Sequence, residues 1–340
     1  MRATFNRFPT ALTAALGLLA ALALLLSVQG CGTMADATTT VTGPTPASAL
    51  KVFNAYVTAE RVATANQDQP LATEITSSAQ YSQVSVNYAV AAVTGQPVTS
   101  PTYGKPTLYV PKLTTYPQWF MATAPVSGKG QTAGTALMVF DRLDATSSWV
   151  LENSVLLDKD APALNVAIKD GYATALRTTE TDLRFRPDEV GAMQASVVDE
   201  GPQSPAGSVV AAGPLTTGIY QASRAAAVQA RAHGNYYSWE LEGSSYPFFA
   251  LSTTNGGAIV VYTMGFNTQT LPVKWSPKRT LPVPDGFKPL LPPDQGPITK
   301  LLDADSTFQY LAIDPPPVKK GGGKLQVIGS YGGPSYVKGT

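Results

Sequence analysis

The chain has 340 residues, 44% hydrophobic and only 14% charged, with 24 basic and 23 acidic residues giving a formal net charge of +1. Removing residues 1–30 takes away Arg2 and Arg7 and no acid, so +1 becomes −1, a balance that excludes nucleic-acid binding by phosphate neutralisation. One cysteine and one histidine exclude a disulfide framework and a multi-histidine metal site, and neither a metal nor a cofactor is expected.

The chain opens with Arg2 and Arg7, an apolar run from Ala11 to Val28, and then Val28-Gln29-Gly30-Cys31. A basic stub, a hydrophobic segment and a small residue before cysteine predict a lipoprotein signal over residues 1–30, with Cys31 diacylated as the mature N-terminus. About eighteen apolar residues also suffice for an uncleaved anchor. The lipid reading is preferred because the chain's sole cysteine stands where the modification requires it, although Gln29 departs from the usual small residue. The expected address is the extracytoplasmic face of the cell membrane, with membrane lipid engaged through Cys31. Cys31→Ser is expected to abolish labelling by a fatty-acid probe and to release or mislocalise the protein, and a wild type that is never labelled refutes the assignment. Residues 31–46, rich in Thr, Gly, Ala and Pro, are predicted to be a tether too poor in large side chains to fold.

The first folded element is a helix from an N-cap at Ser48 to about Thr64, with Leu50, Phe53 and Val57 on one face. A second helical stretch runs from Ser77 to Gly95, a glycine suited to a C-cap. Tyr116–Thr123 and Ala136–Phe140 read as an antiparallel hairpin. Trp149–Leu157 follows as a strand, with Trp149, Leu151, Val155 and Leu157 on one face. The same order then recurs: Val190, Met193 and Val197 behind Pro187, a helix from Thr216 to Gly234, and a hairpin of Tyr246–Thr253 with Ala258–Tyr262. Leu271–Lys300 carries eight prolines and reads as a packed decoration before the last strands near Phe308–Ile313 and Lys324–Tyr331.

This repetition predicts an α+β protein of two tandem domains, residues 47–185 and 186–340, each with N-terminal helices packed on a curved antiparallel sheet. That order resembles the NTF2-like or cystatin-like fold. The lipobox, Gly104–Phe120 (GKPTLYVPKLTTYPQWF) and Asp170–Leu176 (DGYATAL) are similar to an actinobacterial family of lipoproteins whose domain has no assigned function. The resemblance implies an address and an architecture, and no catalytic residues.

Little in the sequence carries chemistry. His233 is expected to end a helix, where the dipole favours a cation. No Gly-x-Ser-x-Gly elbow occurs. Gly321-Gly322-Gly323-Lys324 lacks phosphate-loop spacing and reads as a hairpin connection, and Asp303-Ala304-Asp305 reads as a solvated turn because Phe308 stands where a calcium loop needs glycine. The sharper candidates are Glu60 and Glu200, each three residues beyond a helix stripe, with Tyr81 and Tyr220 as hydrogen-bond donors. Acids are seldom buried unpaired, so both glutamates are expected to be solvated at the rim and to titrate ordinarily. The preferred function is then a non-enzymatic binding or scaffolding module of the cell envelope, its partner an envelope protein, the cell wall or a small apolar ligand. The alternative is an isomerase or dehydratase with a carboxylate as general base. Burial of either glutamate within reach of a tyrosine, with a raised pKa, favours the alternative.

Overall fold

Thr45 caps the first helix, α1 (Pro46–Asn66), where Ser48 was expected to: the Ser48 amide donates to Thr45 Oγ1 at 3.1 Å and Ser48 Oγ bonds back, a reciprocal cap that places Ser48 inside the first turn. The computed structural model describes residues 41–128, 133–320 and 322–340. Cys31 and most of the expected tether lie outside them. The tether's last residues belong to the folded unit, since Pro44 is buried and the Thr42 carbonyl accepts from Gln118.

After α1 come α2 (Gln69–Glu74) and α3 (Ser78–Thr94), the latter ended by Gly95 at φ +69°. Then follow β1 (Thr102–Tyr103), β2 (Thr107–Tyr109), β3 (Gln118–Ser127), β4 (Gly134–Arg142) and β5 (Val150–Leu157). Three short strands, β6 (Ile168–Lys169), β7 (Tyr172–Ala173) and β8 (Ala175–Leu176), lead to α4 (Val190–Glu200) and α5 (Thr217–Ala232). The chain closes with β9 (Asn235–Gly243), β10 (Phe249–Ser252), β11 (Ala258–Pro272), β12 (Leu302–Asp314) and β13 (Gln326–Gly339). Both expected hairpins form as antiparallel pairs, β3 with β4 and β10 with β11.

The two halves do not keep separate sheets. One sheet runs in the order β1-β3-β4-β5-β13-β12-β11-β10-β8, with β2 on β3 and β9 on β11, and every ladder between these strands is antiparallel. The expected boundary at residue 185 is corrected accordingly: Thr40–Thr340 is one compact unit. The physical reason is a core shared by both halves. Alternation along β3 and β4 sends Phe120, Ala122, Met138 and Phe140 toward α1, and Met121, Leu137 and Val139 the other way. Those latter residues meet Leu251, Ile259, Val261 and Leu311, while Val260, Tyr262 and Met264 on the far face pack on Val190 and Val197 of α4. The layers are therefore helix, sheet, sheet, helix, and the sheet is apolar on both faces.

A bulge in β5 corrects the reading of that strand as one apolar face. Val139 pairs with Asn153 but Phe140 with Leu151, leaving Glu152 as the extra residue. Leu151 consequently joins the α1 core and Val155 the shared core. In the proline-rich insertion, Leu281 and Ile298 bury against Leu302, Ala304 and Val337, around a short 3-10 turn at Asp285–Leu290. Asp303 and Asp305 lie in β12 and both accept from Asn267, so the expected solvated turn is strand.

Candidate functional site

The buried stripe of α1 is Ala49, Phe53, Tyr56 and Ala63, one residue out of phase with the expected one, and Leu50 is 41% exposed. That phase matters for Glu60. It lies four residues after Tyr56 and three before Ala63, on the face that helical geometry turns toward the sheet. The stripe continues past Glu60 to Ala63, so Glu60 lies within the buried stripe and not at its end.

Glu60 faces a cavity of about 260 Å³. Ile75, Val84, Val98, Val126 and Leu156 supply its aliphatic wall. Tyr88 and Asn87 enter from α3, Tyr103 from β1 and Tyr331 from β13 in the other half of the chain. Asn87 and Thr99 are exposed and frame its opening.

Tyr56 Oη donates to Glu60 Oε1 at 3.3 Å, and Tyr103 and Ser100 also approach the carboxyl closely enough to favour its charged form. Glu60 Oε2 is out of solvent and has no hydrogen-bond partner, although part of the side chain borders the cavity. Burial outweighs the hydroxyl contacts and pushes the pKa of Glu60 up to about 7. Burial and the neighbouring Glu60 in turn hold the Tyr56 and Tyr103 phenols well above their ordinary range. At neutral pH the site thus holds a carboxyl near half-ionisation beside phenols that keep their protons.

The other candidates are elsewhere. Glu200 is exposed at the end of α4, where Gly201 stops the helix before its stripe can carry an acid inward. Tyr220 Oη accepts from Arg224 at 2.9 Å, and its ring meets Trp239. Tyr81 is 49% exposed. His233 caps α5, its Nδ1 2.8 Å from the Gln229 carbonyl oxygen. Neither tyrosine expected to serve Glu60 does so. Tyr56 carries a local signal, its i, i+4 spacing from Glu60; Tyr103 and Tyr331 arrive through tertiary contacts that no local pattern announces.

Other buried acids lie outside the cavity. Asp141 on β4 and Glu152 in the β5 bulge are almost wholly buried, and Ser77 Oγ donates to Glu152 Oε2 instead of capping α3. Burial, reinforced by the charge of Glu152, pushes Asp141 up to about 7. Asp314 accepts from the Phe185 amide at 3.4 Å, and burial raises it also to about 7 against the opposing effect of Arg184. Among the described residues, no three His, Cys, Asp or Glu side chains converge as metal ligands.

The family model described as "Domain of unknown function (DUF8094)" matches residues 41–333, which include the Glu60 cavity and all of the shared sheet but the end of β13. The chain belongs to this family. A DUF8094 chain thus combines a buried, ionisable carboxyl with a family description that assigns no activity. The chain is 26% identical over 163 residues to a Streptomyces avermitilis protein named "Uncharacterized lipoprotein", a match covering 47% of this chain and 46% of that relative. The chain therefore matches about half the length of this curated relative. No solved structure matches it. Among the described residues, no helix is long and apolar enough to cross a membrane.

Proposed function

We propose that this DUF8094 chain is a lipid-anchored protein of the cell envelope, held on the extracytoplasmic face through Cys31, and that the cavity under α1 is a small-molecule site in which Glu60 exchanges a proton with the molecule bound there. The observation that carries the second part is the buried Glu60 carboxyl with its pKa near 7, beside the Tyr56 and Tyr103 hydroxyls. The non-enzymatic reading drew on the scarcity of catalytic residues and on glutamates expected to be solvated, and the burial of the Glu60 carboxyl supports the alternative. Proton transfer of the isomerase or dehydratase kind now stands ahead of an inert scaffold, because a base is most effective when its pKa lies near the working pH. The helix-over-curved-sheet arrangement around the cavity supports reading the first half as an NTF2-like cone.

The test is a ligand-observed NMR screen of the full-length protein in micelles against small neutral, cationic and anionic compounds. Val98→Trp, at a partly exposed position in the cavity wall, serves as the blocked control. Hits are expected to lose binding in that variant, and deuterium exchange into a bound hit is expected to fall at least about 100-fold in Glu60→Gln. Hits that bind the blocked variant equally well refute the site, and exchange unchanged in Glu60→Gln refutes the acid-base role.

A further inference from the structure

The charges around the cavity narrow what it holds. Among the described residues, no Lys, Arg or His lines it, and Glu60 is its one acidic side chain. The groups facing Glu60 are Tyr56 on its own helix, Tyr103 from β1 and Tyr331 from β13. Tyr88 comes from α3, with Asp68 at the start of α2 adding a second negative charge beside it. Among the described residues lining the cavity, an anion meets acidic charge and no counter-ion. Four phenol rings line the cavity, and the electron-rich face of an aromatic ring attracts cations.

Two buried polar atoms of the lining also lack partners. Glu60 Oε2 makes no hydrogen bond in the protein, although Tyr103 and Ser100 approach the carboxyl, and the Tyr88 hydroxyl has no partner in the protein. A buried acceptor left unmade is costly, more so when charged, so a bound molecule that donates to it relieves that cost. A neutral carbonyl compound supplies no donor to Oε2. An ammonium supplies both the donor and the compensating charge.

We propose that the cavity selects small organic cations, molecules of about ten heavy atoms or fewer whose ammonium pairs with Glu60 between the tyrosine rings. This rests on the cavity being a ligand site and names the class of ligand. The ammonium needs the ionised carboxylate, so binding releases a proton from whatever fraction of Glu60 is protonated. Affinity must therefore climb with pH until Glu60 is ionised and then level off.

The probes are cyclohexylamine, cyclohexanone and cyclohexanecarboxylate, titrated calorimetrically into the full-length protein in micelles at pH 5.5, 7 and 8. The amine stays protonated throughout, as a lysine side chain does. Cyclohexylamine is expected to bind at least about 10-fold tighter at pH 8 than at pH 5.5, and the carboxylate not to bind. Glu60→Gln, which keeps shape and removes the charge, is expected to bind the amine at least 10-fold more weakly at pH 8 and to flatten the pH dependence. Val98→Trp is expected to abolish binding at every pH. Cyclohexanone binding in preference to the amine, or with affinity falling as pH rises, overturns the cation assignment while leaving the cavity a ligand site. Amine binding that is independent of pH, or unchanged in Glu60→Gln, overturns it as well. Probe binding that persists undiminished in Val98→Trp removes the cavity as the site altogether.

Discussion

Residues 41–185 expressed without the rest of the chain are expected not to fold. Trp119, Met121, Leu137, Val139 and Val155 bury one face of the first half against Phe249, Leu251, Ile259, Val261, Leu311 and Ile328 of the second. Each large apolar side chain returned to water costs roughly 1.5–3 kcal/mol, so exposing five of them forfeits about 10 kcal/mol, comparable to the whole stability of an ordinary domain. A buried polar chain is cut too: Asn153 Nδ2 and the Ser154 amide donate to Gln309 Oε1, while Gln309 Nε2 donates to Gln80. The measurement compares near-UV circular dichroism and amide NMR dispersion of residues 41–185 with those of residues 41–340. A dispersed spectrum and a cooperative melt from the fragment alone reverse this conclusion and restore two independent domains.

How much of this was legible divides along the range of the interactions. The α3 segment was readable to within a residue because its stop at Gly95 is written in adjacent residues, and the β3–β4 and β10–β11 hairpins follow from local apolar runs. The ladders that join the halves are short, Leu157 with Gly329 and Leu156 with Ser330 in one place and Leu176 with Ala250 and Ala175 with Leu251 in another, and no local pattern specifies such brief contacts across the chain. A usable signal did exist. Ala136-Leu137-Met138-Val139-Phe140 and Ala258-Ile259-Val260-Val261-Tyr262 are apolar at every position, the mark of strands buried on both faces, whereas a sheet with one face in water alternates. The bulge at Glu152 leaves no local signal because it breaks the strict alternation on which strand faces are assigned.

The candidate site was half legible, and for a related reason. Glu60 was a candidate at the end of the α1 stripe but was expected to be solvated at the rim, because the stripe was phased on Leu50 when the buried residue is Ala49. Small residues weigh little in a hydrophobic pattern, yet they let a helix approach its sheet closely. That one-position rotation carries Glu60 from rim to interior. Glu200 does not match it because α4 ends at Glu200, whereas α1 continues six residues past Glu60.

The protein is expected to become more stable as pH falls from 8 to 5, opposite to the acid sensitivity of proteins whose carboxylates are paired. Glu60, Asp141 and Asp314 all have pKa values raised to about 7 by burial, and Asp199 is raised to about 6. In the unfolded chain these groups hold their protons only below about 4–4.5. Between that range and pH 7 the folded state binds more protons than the unfolded one, so stability falls as pH rises through the window and is fully present below it. A shift of one unit corresponds to about 1.4 kcal/mol; after discounting for partial solvent access and for the coupling of Asp141 with Glu152, the three strongest groups together contribute on the order of 5 kcal/mol. For a chain of this size that amounts to a rise in Tm of about 10 °C. Below pH 4 the trend reverses, because Asp144, held at about 2 by hydrogen bonds from Thr146 and Ser147, begins to lose its favourable contacts. Scanning calorimetry of residues 41–340 at pH 8, 7, 6 and 5 reads the slope directly. Glu60→Gln and Asp141→Asn are each expected to raise Tm at pH 8 and to flatten the profile, since each removes a charge that the interior resists. A Tm that declines steadily from pH 8 to 5, or variants less stable than wild type at pH 8, excludes raised pKa values for these buried acids.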